Sequence, residues 1–206
     1  TRGLSTGDRV TFLKRKMRVV VGEQILGRVL NATGEPMDKG PPVEGMAVEI
    51  GTFPANPVKR IIPHRMISTN IPMIDLFNCL VESQKIPVFS VAGEPYNQLL
   101  MRIVNQTDAD VVLIGLMAAR QDDLHAFIDN AKKMGSLKRT TMFVHLATDY
   151  AVECLLVPDM VLTVAEQFAQ QGKRVMVLLT DMTAFADAIK DIAISLEQVP
   201  SNRGYP

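Results

Sequence analysis

The chain has 206 residues, 47% of them hydrophobic, and its 22 Lys and Arg balance 22 Asp and Glu to a formal net charge of zero. Such neutrality argues against nucleic acid as the main partner, because proteins that grip phosphate backbones carry a basic excess. The apolar content excludes bulk disorder, and the length suits one large domain, or one with an appendage, that buries roughly 70% of its unfolded surface.

Zero charge conceals a split along the chain. Residues 1–70 hold eleven Lys and Arg against six Asp and Glu, while residues 71–206 hold eleven against sixteen. Lys14, Arg15, Lys16 and Arg18 concentrate the early surplus, which reads either as a solvated strand edge or as an interface with an acidic neighbour. No signal-peptide pattern opens the chain. It starts at Thr1 and closes in the loop-like run Asn202-Arg203-Gly204-Tyr205-Pro206, so both ends are expected to be cut. Around Gly22, residues 18–21 and 24–31 gather β-branched side chains and predict a short hairpin. Seven of the twelve prolines then lie between Pro36 and Pro72, interleaved with Gly34, Gly40, Gly45 and Gly51. That stretch predicts turns and extended connector. The expected division is a β segment over 1–35, a connector over 36–69 and an α/β domain over 70–206.

From residue 70 onward strands and helices alternate. Residues 86–91, 110–116, 140–147 and 174–180 are short apolar runs without alternation, as expected of strands buried on both faces of a parallel sheet. Leu124, Phe127, Ile128, Ala131 and Met134 form a helical stripe that Gly135 is placed to stop. Val161, Val164, Ala165 and Phe168 repeat it, ended by Gly172. Phe185, Ala188, Ile189, Ile192, Ala193 and Leu196 form the clearest stripe. The alternation predicts a mostly parallel α/β fold with right-handed crossovers, whose ligands bind beyond the C-terminal ends of the strands.

Three places at that end carry candidate chemistry. After the run 86–91, residues Ser90 to Asn97 lead into a helical pattern at 98–104, the setting of a phosphate-binding P-loop. Such a loop needs glycine at its first and sixth positions, then Lys for the β/γ-phosphates and Ser or Thr for magnesium. Here Ser90, Pro95, Tyr96 and Asn97 stand at those four places, with Gly93 between. Pro95 removes a backbone donor, Tyr96 brings no positive charge, and Asn97 offers an amide in place of the hydroxyl. Two lost charge-assisted contacts of roughly 1.5–3 kcal/mol each weaken nucleotide affinity about 100-fold to 10,000-fold. An ordinary strand–helix turn and a relic nucleotide site both remain open. The second place is the apolar run ending at Thr180 and Asp181, which is either a Walker B carboxylate that holds magnesium or the N-terminal cap of the helix over 183–196. The third is the end of the 110–116 strand, continuing Met117-Ala118-Ala119-Arg120, where an ATPase of this architecture needs a general base and this chain has alanines. Asp122 and Asp123 lie beyond it in a helix whose dipole they suit.

Other chemistry is thin. His64, His125 and His145 share no ligand spacing and neither cysteine neighbours a histidine in sequence, so no zinc or other metal site is expected. Cys79 and Cys154 are too few for a disulfide framework and point to a reducing compartment, with Cys154 read as a small buried hydrophobe. Most of the twelve methionines fall on apolar stripes and are expected in the core. No run approaches the roughly 18 consecutive apolar residues of a membrane span.

Several runs, taken in order, resemble the B-type, regulatory subunits of V/A-type rotary ATPases, in their bacterial spelling. They are residues 25–34 (ILGRVLNATG), 86–97 (IPVFSVAGEPYN), 162–166 (LTVAE), 179–183 (LTDMT) and the closing 197–206 (EQVPSNRGYP). The match runs along nearly the whole chain, and the degenerate loop Gly93-x-Pro95-x-Asn97 is diagnostic, because the catalytic relatives keep Gly-Lys-Thr there. The resemblance implies a RecA-like domain, truncated at its C-terminus and preceded by the tail of an N-terminal β-barrel. It also implies a non-catalytic subunit that alternates with catalytic A subunits in a ring of three and three and that meets the central rotor and stator subunits. ATP or ADP with Mg2+ would sit at the subunit interfaces, the location would be the cytoplasmic face of the membrane without direct insertion, and the coupled ion would be H+ or Na+. Ser90, Gly93, Pro95, Tyr96, Asn97, Arg120 and Asp181 are then the relic nucleotide positions. Ala119 falls where the family has its catalytic Glu, and the arginine finger falls beyond Pro206. Two other readings are a self-sufficient P-loop ATPase in which Arg102 or Arg120 replaces the lysine, and an α/β module that binds another small anion at the Gly93 loop.

Overall fold

The computed structural model describes residues 5–51, 58, 62–91, 93–198, 204 and 205. Among them, in chain order, the strands are β1 (Arg18–Val21), β2 (Val29–Asn31), β3 (Met46–Glu49), β4 (Met66–Ile67), β5 (Leu80–Val81), β6 (Val111–Ala119), β7 (Thr140–Leu146) and β8 (Val175–Thr180). The helices are α1 (Pro72–Phe77), α2 (Tyr96–Gln106), α3 (Gln121–Met134), α4 (Ala151–Cys154), α5 (Leu156–Gln170) and α6 (Met182–Ser195). Residues 199–203 and 206 of the closing run, Ala92 of the candidate loop and parts of the connector lie outside the described residues.

A parallel sheet in the order β2, β7, β6, β8 organises the molecule. The absence of alternation in β6 has its cause here, since both faces are covered. Val111, Leu113 and Met117 point into a core with Phe143 and the α5 residues Val157, Met160, Val161, Val164 and Phe168. Val112, Ile114 and Leu116 point into the opposite core with Met142, Val144 and the α3 residues Leu124 and Phe127. Gly115 lets α5 approach: a Cβ there would lie 2.8 Å from the Leu179 side chain and 3.0 Å from that of Val157. α3 ends as its sequence predicts. Gly135 takes φ of 74°, a left-handed conformation that favours glycine, and its N–H returns to the Lys132 carbonyl. Asp122 and Asp123 in the first turn and Lys132 and Lys133 in the last both suit the helix dipole.

Three expectations need correction. The segments around Gly22 do not form a hairpin: β1 pairs antiparallel with β3, and β2 joins the main sheet beside β7. A short 3-10 turn over Glu23–Ile25 carries the chain between them, and the pairing residues are distant in sequence, Arg18 with Glu49 and Leu30 with Phe143. The run 86–91 forms no strand. Phe89 is 91% exposed, Pro87 cannot donate to a ladder, and no described strand pairs with this segment. Finally, Met37, Met46, Met66, Met73, Met134 and Met182 are exposed, whereas Met117, Met142, Met160 and Met176 are core. Met134 is the last residue of α3 and lies past the part of the stripe that meets the sheet.

Candidate functional site

The C-terminal ends of β6, β7 and β8 and the first turns of α2 and α6 form one rim. β8 ends at Thr180, and Asp181 turns the chain into α6 in a left-handed conformation, φ 62° and ψ 63°, that aspartate tolerates better than most residues. Its Oδ1 accepts the Ala184 N–H at 3.0 Å, which is the N-cap geometry. The cap is the role of Asp181 that the structure displays. Among the described residues no group of three or more His, Cys, Asp or Glu could hold a metal ion.

The turn into α2 is built differently. Gly93 has φ of 94°, Pro95 occupies the N-cap position without a side-chain cap, and Tyr96 and Asn97 are the first two helical residues. Three backbone donors of this turn are engaged locally. Glu94 N–H donates to the Val91 carbonyl at 3.2 Å, Tyr96 N–H to that of Glu94 at 2.9 Å and Gln98 N–H to that of Pro95 at 2.9 Å. Ser90 Oγ donates to the Val91 carbonyl at 3.3 Å. An open hollow of about 480 Å³ lies between Val88–Val91 and the side chains of Glu94, Pro95, Tyr96 and Leu99. Its lining is mostly apolar and includes a carboxylate but no cation. These residues do not fit a nucleoside triphosphate: the lysine is missing, one amide is a proline's, and three others are engaged.

Neither arginine weighed as a substitute reaches this loop as a free cation. Arg102 lies in the second turn of α2 and its Nε donates to Gln106 at 3.2 Å, toward the far end of the helix. Arg120 follows β6 and its Nε donates to Asp123 at 3.0 Å, with the side chain 75% exposed. Hydrogen bonding to Asp123 raises the Arg120 pKa further, with smaller electrostatic contributions from Asp122 and Tyr96. Asp181, on the β8 side, caps α6. Cys154 is buried, and desolvation pushes its thiol pKa up, with Asp181 adding to the effect.

Sequence reasoning missed the tip of β6. Ala118 takes φ of 49° where β6 slips register against β7, and its N–H donates to Nδ1 of His145 at 3.1 Å. The available signal was a histidine near the ligand-side end of an apolar strand, which a search for metal spacing passes over.

The ATP synthase alpha/beta family model, nucleotide-binding domain, matches residues 70–206. The "V-type ATP synthase beta chain" of Protochlamydia amoebophila (strain UWE25) is 65% identical over 206 residues, which is all of this chain and 47% of that protein. The chain spans about half the length of the curated relatives it matches. Among solved structures, the ATP synthase subunit NeqB from Nanoarcheaum equitans superposes with a TM-score of 0.84 at 29% identity, over 92% of this chain and 47% of that one. An ATPase from the type III secretion system of pathogenic bacteria superposes with a TM-score of 0.87 at 23% identity, over 93% and 56%, and shares the fold.

Proposed function

The chain belongs to the ATP synthase alpha/beta family, and from that premise we propose that it is part of a non-catalytic, regulatory subunit of a V/A-type ion-translocating rotary ATPase or ATP synthase. The observation that carries this reading is the turn into α2. Pro95 and Tyr96 stand where a phosphate loop needs glycine and lysine, and the N–H groups of Glu94, Tyr96 and Gln98 are engaged in local turns. Relatives named V-type ATP synthase beta chain support membership of such a complex; the missing loop chemistry supports the non-catalytic role.

On this reading residues 70–206 are a nucleotide-binding-type domain, with a β segment over 1–35 and a connector over 36–69. Ser90, Gly93, Pro95, Tyr96, Asn97, Arg120 and Asp181 form a wall that faces a neighbouring subunit, and the neighbour supplies the groups that hold Mg2+ and the phosphates of ATP or ADP. Three catalytic subunits alternate with three of these around a central rotor, braced by stator subunits, on the cytoplasmic face of the membrane. Contact across the ring couples ATP synthesis or hydrolysis to movement of H+ or Na+. Co-expression of the full-length subunit with its catalytic partner tests the reading. Native mass spectrometry is expected to find the two in equal numbers, with ATP hydrolysis only in the assembly. Turnover by the subunit alone would overturn it.

A further inference from the structure

His145 stands on β7 with 4% of its surface exposed, and the site described above makes no use of it. Its two ring nitrogens have fixed tasks. Nδ1 lies 3.1 Å from the backbone nitrogen of Ala118, which can only donate, so Nδ1 accepts. Nε2 lies 3.1 Å from the carbonyl oxygen of Tyr150, which can only accept, so Nε2 carries the proton. Both bonds form only with the neutral Nε2–H tautomer.

The two groups it joins belong to different elements. Ala118 sits in the left-handed region, which residues with a Cβ seldom adopt unless the surroundings hold them there. β6 and β7 slip register at this point, between Leu116 and Ala119, and pairing resumes with Ala119 opposite Leu146. The next residue is Arg120, at the N-cap position of α3. Tyr150 is the N-cap of α4, and α4 packs on α6. We propose that His145 is a positioning residue: by joining the Ala118 N–H to the Tyr150 carbonyl, it holds the bulged tip of β6, and with it Arg120, against the start of α4. The clamp shapes the tip whatever the tip contacts, so it stands apart from the function proposed above.

The test is nuclear magnetic resonance on the full chain labelled with 15N. At pH 8 the imidazole of His145 is expected as the Nε2–H tautomer, with the Ala118 amide protected from exchange. In His145→Phe the Ala118 protection factor is expected to fall about tenfold, the worth of roughly one hydrogen bond, while Val144 in the core of β7 keeps its own. His145→Asn, whose Oδ1 falls near the place of Nδ1, should keep Ala118 protected. An Nδ1–H tautomer, or Ala118 protection indifferent to His145→Phe, would overturn the proposal. Should His145→Phe not fold, the tautomer of the unmodified chain decides the matter.

Discussion

The turns into α2 and α6 open on the same rim of one sheet, and they are built to different standards. α6 follows a paired strand, and Asp181 caps it through a 3.0 Å bond to the Ala184 N–H. α2 follows an exposed, unpaired run and begins at Pro95 without a side-chain cap. The difference separates scaffold from chemistry. What supports the sheet is packed and capped; at the turn into α2 three N–H groups are spent on local turns and Tyr96 stands where a phosphate loop has lysine. Two Arg–Asp pairs repeat the lesson. Arg28 and Asp38 make a two-pronged contact, at 2.6 and 2.9 Å, with side chains only 14% and 22% exposed, whereas Arg120 beside Asp123 is 75% exposed.

That contrast can be broken or sharpened by substitution. The largest effect is expected at Gly115, inside the scaffold. Gly115→Val drives a side chain into Leu179 and Val157 and should cost about 1–3 kcal/mol in denaturant unfolding. Next comes the cap: Asp181→Ala should cost about 1 kcal/mol, and Asp181→Gly less, because glycine suits a φ of 62°. An equal loss from Tyr96→Ala would erase the distinction between the two turns; the expected loss there is below about 0.5 kcal/mol.

Acid should distinguish the two ion pairs. The Arg28 hydrogen bond, helped by the Gly40 and Val29 N–H groups, holds the Asp38 pKa down at about 2. A folded pKa below the unfolded one means that this contribution is complete above about pH 4 and is lost as pH falls toward 2. Asp38→Asn should therefore flatten the stability profile across that window, measured by thermal unfolding at each pH. Removing the exposed partner, by Asp123→Asn, should change stability by less than about 0.5 kcal/mol at neutral pH.

How much of this was legible in the sequence follows from the range of each interaction. β6, β7, β8 and the helices between them could be read because burial on a sheet face leaves a local apolar pattern, as in Leu124, Phe127 and Ala131. The pairing of β1 with β3 and of β2 with β7 could not, because partners such as Leu30 and Phe143 share no local signal. Hydrophobicity at 86–91 was real, but the run pairs with no described strand, and composition does not report pairing. At the site, the identities of Pro95, Tyr96 and Asn97 already showed which groups a phosphate loop lacks. The structure added how the remaining N–H groups of the turn are used. The His145 contact was invisible, because it depends on a bulge at Ala118 that no residue pattern marks.

The central claim is that the turn into α2 has the position of a phosphate loop without its chemistry. Isothermal titration of this chain with Mg·ATP, paired with a coupled assay for phosphate release, tests it most directly. The account predicts no turnover, and binding weaker by about 100-fold or more than that of a loop with intact Gly-Lys-Thr. Tight Mg·ATP binding that Tyr96→Ala leaves intact and Arg120→Ala abolishes, accompanied by turnover, would contradict it.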